Sequence, residues 1–141
     1  MDPRNGERLL VAQSDPTLVK LVADILEVEG YPVTQALDGK EALTHLDQTP
    51  FSVIILGGSV AGISTADLIF CLKDDPETAS IPIIMLTSAA ESVLELCGLK
   101  HRPDYYLKQP FDAHDLCELV EQLLRERNTV VTPDIRTPVL P

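Results

Sequence analysis

Short apolar runs alternate along this chain with longer stretches whose apolar residues recur every three or four positions. The first run, 8–13, delivers Gln13 and Ser14 at its end, within LLVAQSDP. Asp15 and Pro16 then supply an N-cap and a proline at the first helical position. Leu18, Leu21, Val22, Ile25 and Leu26 follow at helical spacing, and Gly30 stops the helix. Residues 31–36 make a more polar strand, with Pro32 near its start, as suits a sheet edge. Asp38-Gly39 is a turn or cap before a helix over 39–48, carried by Ala42, Leu43 and Leu46. Residues 51–56 are almost continuously apolar, as expected of a strand covered on both faces.

The alternation continues to the C-terminus. A loop over 57–63 leads to a helix capped by Ser64, with Asp67 in its first turn, built on Leu68, Ile69 and Leu72 and ending near Asp75-Pro76. Residues 81–86, IPIIML, read as a second buried strand, and 91–99 as a short helix. A last strand covers 104–108. Asp112 caps the final helix, whose apolar stripe is Leu116, Leu119, Val120, Leu123 and Leu124. Five strands and five helices in strict alternation predict a doubly wound parallel sheet with helices on both faces. Residues 1–127 form the expected domain. Residues 128–141, with three prolines and no periodicity, read as a disordered tail or linker.

Composition narrows the function classes. The net charge of −11 leaves no basic surface for tracking phosphates, so neither nucleic acid nor an anionic membrane is an expected partner. No apolar run approaches the roughly 20 residues of a membrane span. The N-terminus lacks the pattern of a signal peptide, and three cysteines form no disulfide framework. These features predict a cytoplasmic protein. Cys97 with His101, and His114 with Cys117, have helical spacings that could bring four zinc ligands together. However, His101 falls past its helix and His114 in an exposed first turn, so no metal is expected.

Residues 8–127 resemble the receiver domain of two-component response regulators. The resemblance implies a flavodoxin-like fold with strand order 2-1-3-4-5. It also implies phosphoryl transfer to an aspartate at the end of the third strand, with Mg²⁺ held by two acids at the end of the first. A hydroxyl residue would end the fourth strand, and a lysine before proline the fifth. Each type has a chemical reason: the carboxylate is the nucleophile, and the metal and lysine neutralise phosphoryl oxygens.

This chain departs from that pattern at four strand-end positions. Gln13 and Ser14 stand where the two metal acids belong, and Asp15 matches a third, less critical acid. Gly57, closing SVIILG, stands at the phosphoacceptor position. Gln109, in YLKQPF, stands at the lysine position. Lys108 is one residue off, and alternation along a strand points it away from the site. Ser59 could be offered as a substitute acceptor, but it has no evident base or metal. Asp15 alone is a poor site for Mg²⁺, which favours several carboxylates or a bound phosphate. The resemblance therefore implies a degenerate pseudo-receiver, with no cofactor and no catalytic residue.

Two features of the family's switch do match. Thr87 takes the hydroxyl position and Tyr106 the aromatic on the fifth strand. Tyr105, Tyr106 and Lys108 lie on the strand where relatives dimerise or dock partners, and tyrosine is enriched at interfaces. Gln109-Pro110 matches a family bond that is usually cis. The expected function is a phosphorylation-independent signalling module, not an enzyme, acting on other signalling proteins. A homodimer through the 91–99 helix, the fifth strand and the final helix is the form the resemblance offers. The module would stand alone or precede an output domain. The alternatives are a conventional phosphoacceptor receiver and a small-molecule sensor using the strand-end pocket, where Gly57-Gly58 would let a ligand approach the backbone.

Overall fold

Apolar periodicity becomes two packed layers in the computed structural model, which describes residues 7–57, 65–87, 104–108 and 111–128. The elements run β1 (Leu9–Ala12), α1 (Pro16–Val28), β2 (Val33–Ala36), α2 (Gly39–Gln48), β3 (Val53–Leu56), α3 (Thr65–Asp74), β4 (Ile83–Thr87), β5 (Tyr105–Lys108) and a C-terminal helix (Ala113–Asn128). The five strands form one sheet in the order β2-β1-β3-β4-β5, and every pairing is parallel. This is the order the resemblance implies, with the more polar β2 at one edge. The expected 91–99 helix lies outside the described residues, as do the Ser64 cap, the Gln109-Pro110 bond and residues 129–141.

Strand alternation divides the core. Leu10, Ala12, Ile54, Leu56, Ile83 and Met85 join Ala42 of α2 and Leu68, Ile69 and Leu72 of α3 on one face. Leu9, Val11, Val53, Ile55, Ile84 and Leu86 face the other way. They pack on Val19, Val22 and Leu26 of α1 and on Leu116, Val120, Leu123 and Leu124 of the C-terminal helix. Every residue of β1 and β3 is buried, which is why these strands read as continuous apolar runs. Two expected core positions differ. Leu21 is 50% exposed and Leu43 lies at the surface. The buried stripe of α1 is narrower than its apolar spacing implies, and Val19 and Ala23 fill it.

Helix ends follow local chemistry. Asp15 caps α1 by accepting from the Thr17 N–H at 3.0 Å, with Pro16 as the first helical residue. At the other end Gly30, with φ 98°, donates to Glu27 O, and Tyr31 N donates to Leu26 O at 3.2 Å. This is a Schellman closure, and Tyr31 and Leu26 are buried in the same core layer. Asp38 caps α2 through the Glu41 N–H, while Glu41 Oε1 accepts from Leu37 N, each at 2.7 Å. These caps turn the chain at the strand ends. No helix among the described residues is long and apolar enough to cross a membrane.

Candidate functional site

The C-terminal ends of β1 and β3 meet side by side, and the sheet ladder sets their spacing. Ala12 pairs with Leu56. Gly57 N then donates to Ala12 O at 2.9 Å, and Gln13 N to Ala36 O at 3.2 Å. Residues 13 and 57 are therefore held by backbone hydrogen bonds just beyond the last strand pairs. In an open α/β sheet this is where a site is built.

Gln13 is buried, with 8% of its surface exposed. Its Oε1 accepts from Asp15 N at 3.0 Å and from the Ser14 hydroxyl at 3.4 Å. The side chain thus folds back on the turn that starts α1. Its amide lies directly over Gly57: a Cβ placed on Gly57 would run into Gln13 Nε2 and Cδ and would stand 2.8 Å from Cγ. Ordinary carbon contacts need about 3.5 Å or more. Asp15, two residues after Gln13, has one carboxylate oxygen engaged with Thr17 N.

These residues do not fit the Mg²⁺ that the fold family implies. Positions 13, 14 and 57 carry no carboxylate. The buried side-chain oxygen among them, Gln13 Oε1, already accepts two hydrogen bonds. Among the described residues no group of three or more His, Cys, Asp or Glu side chains is placed to hold a metal. Of the considered zinc ligands, Cys97 and His101 lie outside the described residues. His114 is exposed, with Nε2 3.9 Å from Glu118 Oε2, and Cys117 packs partly against the core.

Of the remaining candidates, Thr87 ends β4 and pairs with Lys108 in the sheet register. Gln109 and Ser59 lie outside the described residues. Alternation divides the tyrosine pair. Tyr105 and Leu107 pack partly against the layer holding the C-terminal helix, whereas Tyr106 and Lys108 are exposed on the opposite face.

One polar cluster gives no signal in the sequence pattern. Lys73, at the end of α3, places Nζ 2.7 Å from Asp104 Oδ2 and 3.2 Å from each of the Ala79 and Ile81 carbonyls. Asp104 Oδ2 also accepts from Ile83 N at 2.7 Å. The cluster ties α3 to the starts of β4 and β5, at the opposite end of the sheet from Gln13. Its two charged members are 31 residues apart, so neither periodicity nor a local motif could have revealed it.

Comparison with known proteins agrees with the fold. The chain is 31% identical over 123 residues to the DNA-binding dual master transcriptional regulator RpaA of Synechocystis, covering 87% of this chain and 51% of that protein. It is 33% identical over 118 residues to the phosphate regulon transcriptional regulatory protein PhoB of Rhizobium meliloti, covering 84% of this chain and 52% of that protein. The chain thus spans about half the length of these curated relatives. The signal receiver domain of a signal transduction histidine kinase from Syntrophus aciditrophicus superposes with a TM-score of 0.77 at 26% identity, covering 89% of this chain and 97% of that one. The Francisella response regulator 1452 receiver domain gives a TM-score of 0.76 at 26% identity, covering 86% and 99%. The model of the response regulator receiver domain matches residues 9–121. With the strand order, that match places the chain in the response regulator receiver domain family.

Proposed function

We propose that this receiver domain is a pseudo-receiver, a phosphorylation-independent signalling module that works by protein–protein contact. One observation carries the reading. The three strand-end residues matching the family's metal acids and acceptor are uncharged, and the buried oxygen among them, Gln13 Oε1, is committed to Asp15 N. Phosphoryl transfer needs a nucleophile and a cation to offset charge on the transferred group. Gln13, Ser14 and Gly57 offer neither the carboxylate nucleophile of the family nor the carboxylates that would hold a cation. The sensor alternative loses support here, because the Gln13 side chain lies over the Gly57 backbone that a ligand would have to approach.

Without phosphoryl chemistry, the output of such a module is a surface. The exposed face of β5, with Tyr106 and Lys108, is the proposed docking surface. Thr87 and Tyr106 would respond to a partner by a population shift and not to a phosphoryl group. Dimerisation through the region of β5 and the C-terminal helix belongs to the same proposal, as does a role as adaptor or as the N-terminal part of a larger regulator.

The test is intact-mass measurement after incubation with acetyl phosphate and Mg²⁺, alongside a phosphorylatable receiver as positive control. The expected result is no phosphoryl mass gain and no Mg²⁺-dependent rise in unfolding temperature. A phosphoryl adduct on this chain, or clear stabilisation by Mg²⁺, would instead favour the conventional receiver.

A further inference from the structure

Glycine at position 57 calls for an explanation. Gly30 is the described glycine whose backbone has positive φ, so conformational freedom does not account for Gly57. Space does. A Cβ at Gly57 would meet three side-chain atoms of Gln13. The backbone cannot simply retreat, because Gly57 N is bonded to Ala12 O in continuation of the β1–β3 ladder. The Gln13 side chain cannot turn aside without cost, because it is buried and its Oε1 satisfies the Asp15 amide at the start of α1.

We infer that Gln13 is a plug: it occupies the volume of the acceptor side chain, so that glutamine at 13 and any residue larger than glycine at 57 exclude each other. This deepens the pseudo-receiver reading, on which the identification of position 57 with the acceptor rests. It adds that the site is closed by packing as well as stripped of charge. An acidic residue returned to position 57 would find its place taken until Gln13 is removed. The two positions are coupled across the β1–β3 junction, and a chain in which only one had changed would be strained or would contain a void.

The experiment is a double-mutant cycle of Gly57→Ala and Gln13→Ala, read by thermal unfolding and by exchange of the Asp15 amide proton. With Gln13 present, Gly57→Ala is expected to lower Tm by about 4–10 °C, the usual consequence of overpacking a well-packed site. It should also speed Asp15 amide exchange as the glutamine is expelled. In the Gln13→Ala background, the same substitution should lower Tm by no more than about 2 °C. A chain that folds as the double variant but not as Gly57→Ala gives the same support. Equal losses in both backgrounds, or loss of the fold in both, would overturn the inference and place the strain in the β1 backbone. The readout involves no phosphoryl chemistry. A phosphoryl adduct on the wild-type chain would sink the pseudo-receiver reading and leave the coupling standing, whereas additivity in the cycle would do the reverse.

Discussion

Replacing Lys73 by methionine tests whether the base of the sheet is held by one largely buried ammonium. Methionine keeps most of the side chain's apolar stem and removes the charge and three donors. Lys73 is 14% exposed, and its Nζ donates to Asp104 Oδ2 at 2.7 Å and to two carbonyls at 3.2 Å. Hydrogen bonds that involve a charged group contribute about 1.5–3 kcal/mol each. Their sum is offset by several kcal/mol for withdrawing the ammonium from water. The net loss from Lys73→Met is therefore expected at about 2–4 kcal/mol. By linear extrapolation that lowers the urea midpoint by about 1–2 M with an unchanged slope. Asp104→Asn retains an acceptor for the Ile83 N–H and should cost less, about 1 kcal/mol. The two changes should be non-additive by at least about 1 kcal/mol, since they remove the same ion pair. A Lys73→Met cost below about 0.5 kcal/mol, the level of ordinary surface substitutions, would refute the reasoning. Additivity with Asp104→Asn would show instead that the 2.7 Å contact contributes nothing of its own. The cluster bears on the proposed function because β5, which among the described residues is an edge strand paired with β4, carries the proposed docking face.

Two further predictions concern residues whose roles the structure separates. Asp15→Ala should cost about 1 kcal/mol of stability, the usual loss of an N-cap, and should leave the response to Mg²⁺ unchanged when unfolding is followed with and without the ion. A Mg²⁺ effect present in the wild type and absent in the variant would make Asp15 a metal ligand. Tyr106→Ala should stay within about 0.5 kcal/mol of wild type, while Tyr105→Ala should cost about 1–2 kcal/mol, because Tyr105 packs against the core layer and Tyr106 faces solvent. Co-precipitation with each variant then checks docking: equal capture of the same partners by wild type and Tyr106→Ala would count against the β5 face.

The fold was legible because its elements are dictated locally. A strand buried on both faces must be apolar throughout, as 53–56 is. Asp15-Pro16 and Gly30 bound α1 by rules that need no tertiary knowledge. The strand order was not legible from periodicity, which is the same for any permutation of a doubly wound sheet; it came from the resemblance. Which apolar positions are buried was only partly legible. Leu21 and Leu43 have the spacing of a core stripe, yet both lie at the surface, because spacing alone does not say how wide the buried stripe of a helix is. Interactions between distant segments, such as Lys73 with Asp104, leave no periodic trace at all.

The strand-end site shows the same divide more sharply. That Gln13, Ser14 and Gly57 lack charge is visible in the sequence once the alignment is made. What the sequence did not reveal is that two of these changes are one packing event. Viewed separately, a glycine at the acceptor position reads as a deletion, and a glutamine at a metal position as a neutralised acid. Deleting side chains at a strand end should leave a void, and voids destabilise in proportion to their volume. In the folded chain the Gln13 side chain, just past β1, extends over Gly57, just past β3, and satisfies the amide of Asp15, the N-cap of α1, in doing so. Asp15 has the separate task of capping the helix. A receiver that had merely lost selection for phosphorylation would be expected to keep a loosely packed remnant. The close fit of Gln13 over Gly57 favours instead a site repacked for stability, which is what the proposed surface-signalling module would require.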